Sequence, residues 1–169
     1  MVTIRSENAA DADELSAIRS INEAAFAGCE EADLVDKLRT DGDVLISLVA
    51  EFDQRIVGHI LFSRMWIETP AARIAAVALA PVAVLPEHQR RGIGGQLIRY
   101  GLDMLHDQGE RIVIVVGHPA YYPRFGFSRE KARPLESPFS GDSFMAMELS
   151  PGALDGIRGK VIYPAAFAL

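Results

Sequence analysis

The stretch Val84-Leu85-Pro86-Glu87-His88-Gln89-Arg90-Arg91-Gly92-Ile93-Gly94-Gly95 decides how the rest of the chain is read. An apolar run enters a basic, glycine-rich turn, and the turn opens directly into an amphipathic helical pattern. Glycines at 92, 94 and 95 remove side chains where a ligand has to approach backbone amides. The first N–H groups of a helix have no partner within the helix and lie at the positive end of its dipole. Such a turn suits a pyrophosphate held by amides and flanked by Arg90 and Arg91. A strand-to-helix connection with two solvated arginines fits the same local pattern. Two other phosphate loops are excluded. A P-loop needs Gly-Lys followed by Ser or Thr, which the chain lacks. A dinucleotide fingerprint needs a third glycine where Leu97 stands, and an acidic residue about 20 positions further on, where the chain reads Ile112-Val113-Ile114-Val115-Val116.

What remains is Gln-x-x-Gly-x-Gly at 89–94. It resembles the acyl-CoA pyrophosphate loop of the Gcn5-related N-acetyltransferase (GNAT) superfamily. About 30 residues later, Tyr121-Tyr122-Pro123-Arg124-Phe125-Gly126-Phe127 resembles the family's aromatic-Tyr-x-x-x-Gly-Phe signature, with one helix and one strand between the two motifs. The resemblance covers most of residues 2–149. It implies an α/β domain with a mixed, largely antiparallel sheet and helices on both faces, with acetyl-CoA in an opening between the strands ending near Val84 and Val116. By the same resemblance Gln89, Arg90, Arg91, Gly92, Ile93, Gly94 and Gly95 hold the cofactor's phosphates. The amides of Val82, Ala83 and Val84 bind the thioester carbonyl, and Tyr122 is the general acid for the departing thiolate. The implied reaction is direct acetyl transfer to a primary amine of a small molecule, peptide or protein. A non-catalytic acyl-CoA sensor or interaction module on the same fold is the rival reading, because fold does not fix function.

The composition agrees with one globular domain. The chain has 169 residues, of which 49% are hydrophobic and 24% charged. A net charge of −6 argues against nucleic-acid binding, which rests on excess Lys and Arg. Cys29 is the only cysteine, so no internal disulfide is expected. The first residues lack a leader-like apolar core, and the longest apolar stretch, 74–86, is short and broken by Pro81. The expectation is a cytoplasmic protein with no membrane partner. Dimers are common in the family, so a homodimer is compatible with the reading.

Periodicity outlines the elements. Val2–Arg5 alternates as an edge strand. Asp11 with Glu14 forms a capping box for a helix through about Phe26, with Leu15, Ile18, Ile21 or Asn22, and Ala25 inward. A second helix covers about 31–39. Strands at 45–52 and 55–68 form a hairpin about Asp53-Gln54, and a strand at 74–85 follows. Pro81 cannot donate to a ladder and marks a bulge or a parting from a neighbour. The helix from about 92 to 108 ends at Gly109. Continuously apolar 112–116 reads as a strand covered on both faces. Pro123 limits the tyrosine segment to a distorted or single turn. Residues 143–149 form a late strand, which closes the 1–149 domain. Residues 150–169 are a C-terminal extension packed on it.

Other candidate groups carry less weight. His59, in a strand that faces the cleft in this fold, and His118, ending the strand beside Tyr122, could each relay a proton through water, although a satisfied structural histidine explains both. Tyr121 and Phe125 read as packing residues, and Arg124 as a solvated charge or a cofactor contact. Many family members place an Asn where this chain has Val116-Gly117-His118-Pro119, a departure at the cofactor contact. Glu23, Glu30, Glu31 and Glu68 lie near segments that usually frame the acceptor. Histidines 59, 88, 106 and 118 share no helical face, so no metal is expected.

Overall fold

The computed structural model describes residues 1–139 and 141–168; Ser140 and Leu169 lie outside the described residues. In chain order the elements are β1 (Thr3–Ser6), α1 (Ala12–Phe26), α2 (Glu30–Asp41), β2 (Val44–Phe52), β3 (Arg55–Glu68), β4 (Arg73–Val84), α3 (Ile93–Asp107), β5 (Ile112–Val116), α4 (Arg129–Ala132), β6 (Leu135–Glu136), β7 (Phe144–Glu148) and β8 (Gly159–Ile162). Short 3-10 turns occupy Pro86–His88, Tyr122–Phe125 and Ala165–Phe167. The chain divides into two compact units: residues 1–62 with 80–101, and residues 63–79 with the chain from Leu102 onward. Strands β3 and β4 and helix α3 contribute residues to both.

In the first unit the strand order is β1-β2-β3-β4, with β1 antiparallel to β2. Helix α1 starts where Asp11 accepts from the N–H groups of Asp13 and Glu14. The expected capping box is only half present. Glu14 does not return to the cap residue; its carboxylate takes the N–H of Asn8 and two bonds from the Arg5 guanidinium, at 2.6 and 3.2 Å. The competing partner wins because a charge-assisted, two-pronged bond is stronger than one neutral amide. Inward positions of α1 include both Ile21 (2% exposed) and Asn22 (0%). The β2–β3 hairpin turns at Asp53 and Gln54, whose φ angles are +50° and +63°, the two-residue turn matching strand twist.

Two glycines seat α3 on β3. A Cβ on Gly58 would stand 3.1 Å from Leu97 Cδ1 and 3.3 Å from Ile93 Cγ2, and one on Gly101 would fall 2.2 Å from the Phe62 ring. Helix and sheet approach this closely only because those side chains are missing. The consequence is a fixed position for the start of α3, which Ile93 anchors with a buried side chain.

In the second unit the order is β3-β4-β5-β7, with β8 on β3 and β6 on β8. β5 runs parallel to β4 at Val77–Val113 and Ala78–Ile114, and antiparallel to β7 from Ile112–Glu148 to Val116–Phe144. Ile112 and Ile114 join a core with Met65, Ile67, Ala76 and Phe144, while Val113 and Val115 on the other face are also buried. The continuous apolar run is thus explained. Pro81 lies three residues past the last β4–β5 pair. The glycine-rich C-terminal segment adds a strand that its composition conceals. β8 pairs antiparallel with β3 at Trp66–Ile162 and Glu68–Lys160. A Cβ on Gly159 would fall 2.4 Å from the Glu68 carbonyl oxygen, so glycine is what the close backbone approach requires. Among the described residues, no helix is long and apolar enough to cross a membrane.

Candidate functional site

The glycine-rich loop belongs to the first unit. β4 ends at Val84, and the Leu85 N–H donates to the Val57 carbonyl, 2.9 Å away, tying the strand's exit to β3. A 3-10 turn follows over Pro86–His88, with the His88 ring 5.5 Å from Phe52. The Gln89 side chain then reaches back, and its Nε2 donates to the Val84 carbonyl at 2.9 Å. This bond gives the first residue of the Gln-x-x-Gly-x-Gly pattern a job that spacing alone does not reveal: it clamps the loop onto the strand end. Arg90 holds φ +65° and Gly92 φ +81°, so both lie in the left-handed region, which glycine adopts without strain. A side chain on Gly92 would meet nothing within 4 Å, which leaves open space above the turn. The first helical bond runs from the Gln96 N–H to the Gly92 carbonyl. The amides of Ile93, Gly94 and Gly95 therefore precede the helical ladder. Arg90 and Arg91 are exposed, whereas Ile93 is 3% exposed and packs over Gly58. Along β4, Val82 and Val84 are half-buried around buried Ala83.

The aromatic motif belongs to the second unit. Tyr122–Phe125 form one 3-10 turn, as Pro123 demands, closed by Gly126 at φ +105°. Both the Tyr121 and Tyr122 N–H groups donate to the His118 carbonyl. Tyr122 is 8% exposed, more deeply buried than a rim-capping aromatic. Its ring stands edge-on to Tyr121 (5.1 Å, 83°) and to Phe127 (5.8 Å, 84°), and Phe125 packs on Tyr121 at 5.2 Å. Burial, with Tyr121 adding to it, pushes the Tyr122 phenol up to about 12. The hydroxyl is accordingly protonated throughout the neutral range. Arg124 is exposed and lies over the Tyr121 ring, 4.9 Å from its centre.

His59 does not face a cleft. It is fully buried, with Nδ1 3.2 Å from Asn22 Nδ2 and Nε2 2.8 Å from Ser47 Oγ. Asn22 Nδ2 can only donate, so Nδ1 accepts and the ring proton sits on Nε2, donating to Ser47. The Ser47 hydroxyl in turn donates to Glu7, which pairs with Arg39. Burial first, and the Arg39 charge second, hold the imidazole near 3, so it is neutral and structural. Side-chain spacing carries no trace of this chain, because its members come from four different elements and a loop. His118 does not end a strand: it is exposed two residues past Val116, the last residue of β5. Glu23 pairs with Arg19, which also holds Asp33 and Asp36. Cys29 is free and exposed. Among the described residues, no group of three or more His, Cys, Asp or Glu is placed to hold a metal ion.

An open mixed sheet, a glycine turn at the start of α3 and an aromatic turn after β5 together define an acyltransferase fold. A family model described as an acetyltransferase (GNAT) domain matches residues 7–129, which include both motifs. The chain belongs to the GNAT acetyltransferase family. It is 42% identical over 119 residues to the uncharacterized N-acetyltransferase YjhQ of Escherichia coli K12, covering 69% of this chain and 66% of that protein. It is 34% identical over 142 residues to the uncharacterized N-acetyltransferase YhbS of the same strain, covering 82% and 84%. The fold is similar to that of E. coli YhbS solved in complex with CoA, with a TM-score of 0.88, 32% identity and coverage of 99% and 92%. It is similar also to a GNAT acetyltransferase of Brucella melitensis in complex with acetyl-CoA, with a TM-score of 0.81, 36% identity and coverage of 99% and 98%.

Proposed function

We propose that the protein is an N-acetyltransferase that moves an acetyl group from acetyl-CoA directly to a primary amine. The observation that carries this reading is the loop at 89–95, clamped through Gln89 to Val84, inside a chain of this family. Acetyl-CoA, when bound, supplies an activated acetyl group. The amides of Gly92, Ile93, Gly94 and Gly95 hold the pyrophosphate, with the Ile93 side chain serving as the helix anchor and only its backbone facing the ligand. Arg90 and Arg91, being exposed, add Coulomb attraction that salt screens. Backbone amides at Val82, Ala83 and Val84 orient the thioester carbonyl and stabilise the charge that develops on its oxygen. The amine nitrogen bonds to the acetyl carbon, the carbon–sulfur bond breaks while the Tyr122 hydroxyl donates a hydrogen bond to the departing thiolate, and the proton lost by the amine passes through solvent to that sulfur. At about 12, the phenol is well above a thiol of about 8.5, so Tyr122 acts chiefly by hydrogen-bonding the emerging thiolate. His118 is the exposed histidine nearest in sequence to Tyr122 and is the candidate relay for the amine proton.

An assay with acetyl-CoA and a panel of primary amines (spermidine, a lysine amide, an alanine-led peptide and an aminoglycoside), read by free thiol, tests the proposal. Amine-dependent thiol release with the acetylated product seen by mass spectrometry is expected. Tight CoA binding with no acetylated product from any amine would replace this reading with an acyl-CoA-binding module.

A further inference from the structure

Gly117 follows the last residue of β5 and stands five positions before Tyr122. Its backbone is not in the left-handed region, so conformational freedom does not explain a glycine here. Its N–H donates to the Ser143 carbonyl at 3.0 Å, which fixes this backbone to the start of β7. Space is the remaining reason. A Cβ built on Gly117 would lie 2.3 Å from Cε2, 2.9 Å from Cδ2 and 3.3 Å from Cζ of the Tyr122 ring. A real Cβ cannot approach a carbon at 2.3 Å, and the hydrogen-bonded backbone cannot retreat, so the ring would have to move. That ring is wedged edge-on between Tyr121 and Phe127, with Phe125 behind at 6.5 Å. Any displacement therefore swings the phenol rather than sliding the whole turn.

We propose that Gly117 is a positioning residue for Tyr122: its missing side chain is the slot that receives the tyrosine ring, and it sets where the phenolic hydroxyl points. The kinetic consequence rests on the general-acid reading of Tyr122 given above; the steric consequence does not. Gly117 touches no reacting atom and acts only through the tyrosine. Misplacing a catalytic group by about 1 Å lowers rate by up to about 100-fold. Gly117→Ala should thus lower kcat by roughly 10- to 100-fold on the best amine of the panel, with KM for acetyl-CoA within about twofold of the parent.

The test is a four-member cycle of parent, Gly117→Ala, Tyr122→Phe and the double variant, with tyrosine-labelled NMR at neutral pH. The Tyr122 resonance, assigned by its loss in Tyr122→Phe, should move in Gly117→Ala as the ring changes its place among its aromatic neighbours. In the Tyr122→Phe background the Gly117→Ala change should lower kcat no further, since the hydroxyl it misplaces is gone. An unmoved Tyr122 resonance overturns the proposal, as does an equal fall in kcat in both backgrounds. If Tyr122→Phe leaves kcat at the parental value, the general-acid reading fails, and the resonance alone decides Gly117. Should Gly117→Ala not fold, Gly117→Ala/Tyr122→Ala is made: recovery of the fold supports the clash, and continued failure overturns it.

Discussion

The loop at 89–95 and the turn at 121–127 present their chemistry in opposite ways. The loop works with backbone. Its arginines are exposed, its one buried side chain, Ile93, points into the helix–sheet contact, and Gly92 leaves open space at the turn. The turn works with a side chain. Its backbone is an ordinary single turn, and what matters is one phenol, buried among three rings and fitted against Gly117. The difference teaches where each is fragile. The loop should tolerate loss of its charges and fail when a side chain is added; the turn should tolerate neither an added atom at Gly117 nor the loss of one oxygen at Tyr122.

The largest effect should come from filling the loop. Gly94→Val places a branched side chain in the first turn of α3, where phosphate oxygens have to approach amides. Calorimetric titration should detect no CoA binding, with the fold unchanged by circular dichroism. Parental affinity in this variant would remove the loop as the phosphate site and end the contrast. Next in size is the turn. Tyr122→Phe removes the hydroxyl alone, so kcat should fall by about 10²- to 10⁴-fold while CoA affinity holds. An unchanged kcat would leave Tyr122 as packing only.

A third outcome concerns the scaffold beneath the loop, since β3 carries both Val57, which takes the Leu85 N–H, and His59. The folded pKa of His59 is depressed to about 3 from 6.5. Its contribution to stability is therefore complete above pH 6.5 and is lost as pH falls toward 3. Glu14, held low by its bonds to Arg5, contributes an acid limb that begins only below about 4.5. Between pH 6.5 and 4.5 the His59 contribution should fall by roughly 2–3 kcal/mol. In denaturant melts the stability of the parent should fall over that window by about this much more than that of His59→Gln, with CoA affinity at pH 7.5 alike in both. The smallest effect should follow from replacing Arg90 and Arg91 by Gln. Exposed charges of this kind contribute about 0–1 kcal/mol each, so KM for acetyl-CoA should rise a few-fold and lose salt dependence, with kcat kept. A large fall in kcat at unchanged KM would place the arginines in the chemistry and blur the contrast.

Sequence alone was enough for the fold and for both motifs, because each depends on local pattern. Alternation at 143–149, the hairpin turn at Asp53-Gln54, an unbroken apolar run at 112–116 and glycines bracketing α3 are written in neighbouring residues. The gly-x-gly loop and the aromatic turn are likewise short and contiguous. Tertiary structure decided what depends on residues distant in the chain. It took Glu14 away from its capping box, because Arg5 arrives from β1. It withdrew His59 from any cleft, because Asn22, Ser47, Glu7 and Arg39 converge on it from elsewhere. It made a strand of Gly159–Ile162, because β3 offered a free edge that only a glycine backbone could approach so closely. It gave Gln89 its clamp and Gly117 its slot. Periodicity reports which face of an element is apolar; it carries no information about which partner's atoms will stand opposite a given polar or missing side chain. Contacts across the chain are set only when the elements pack.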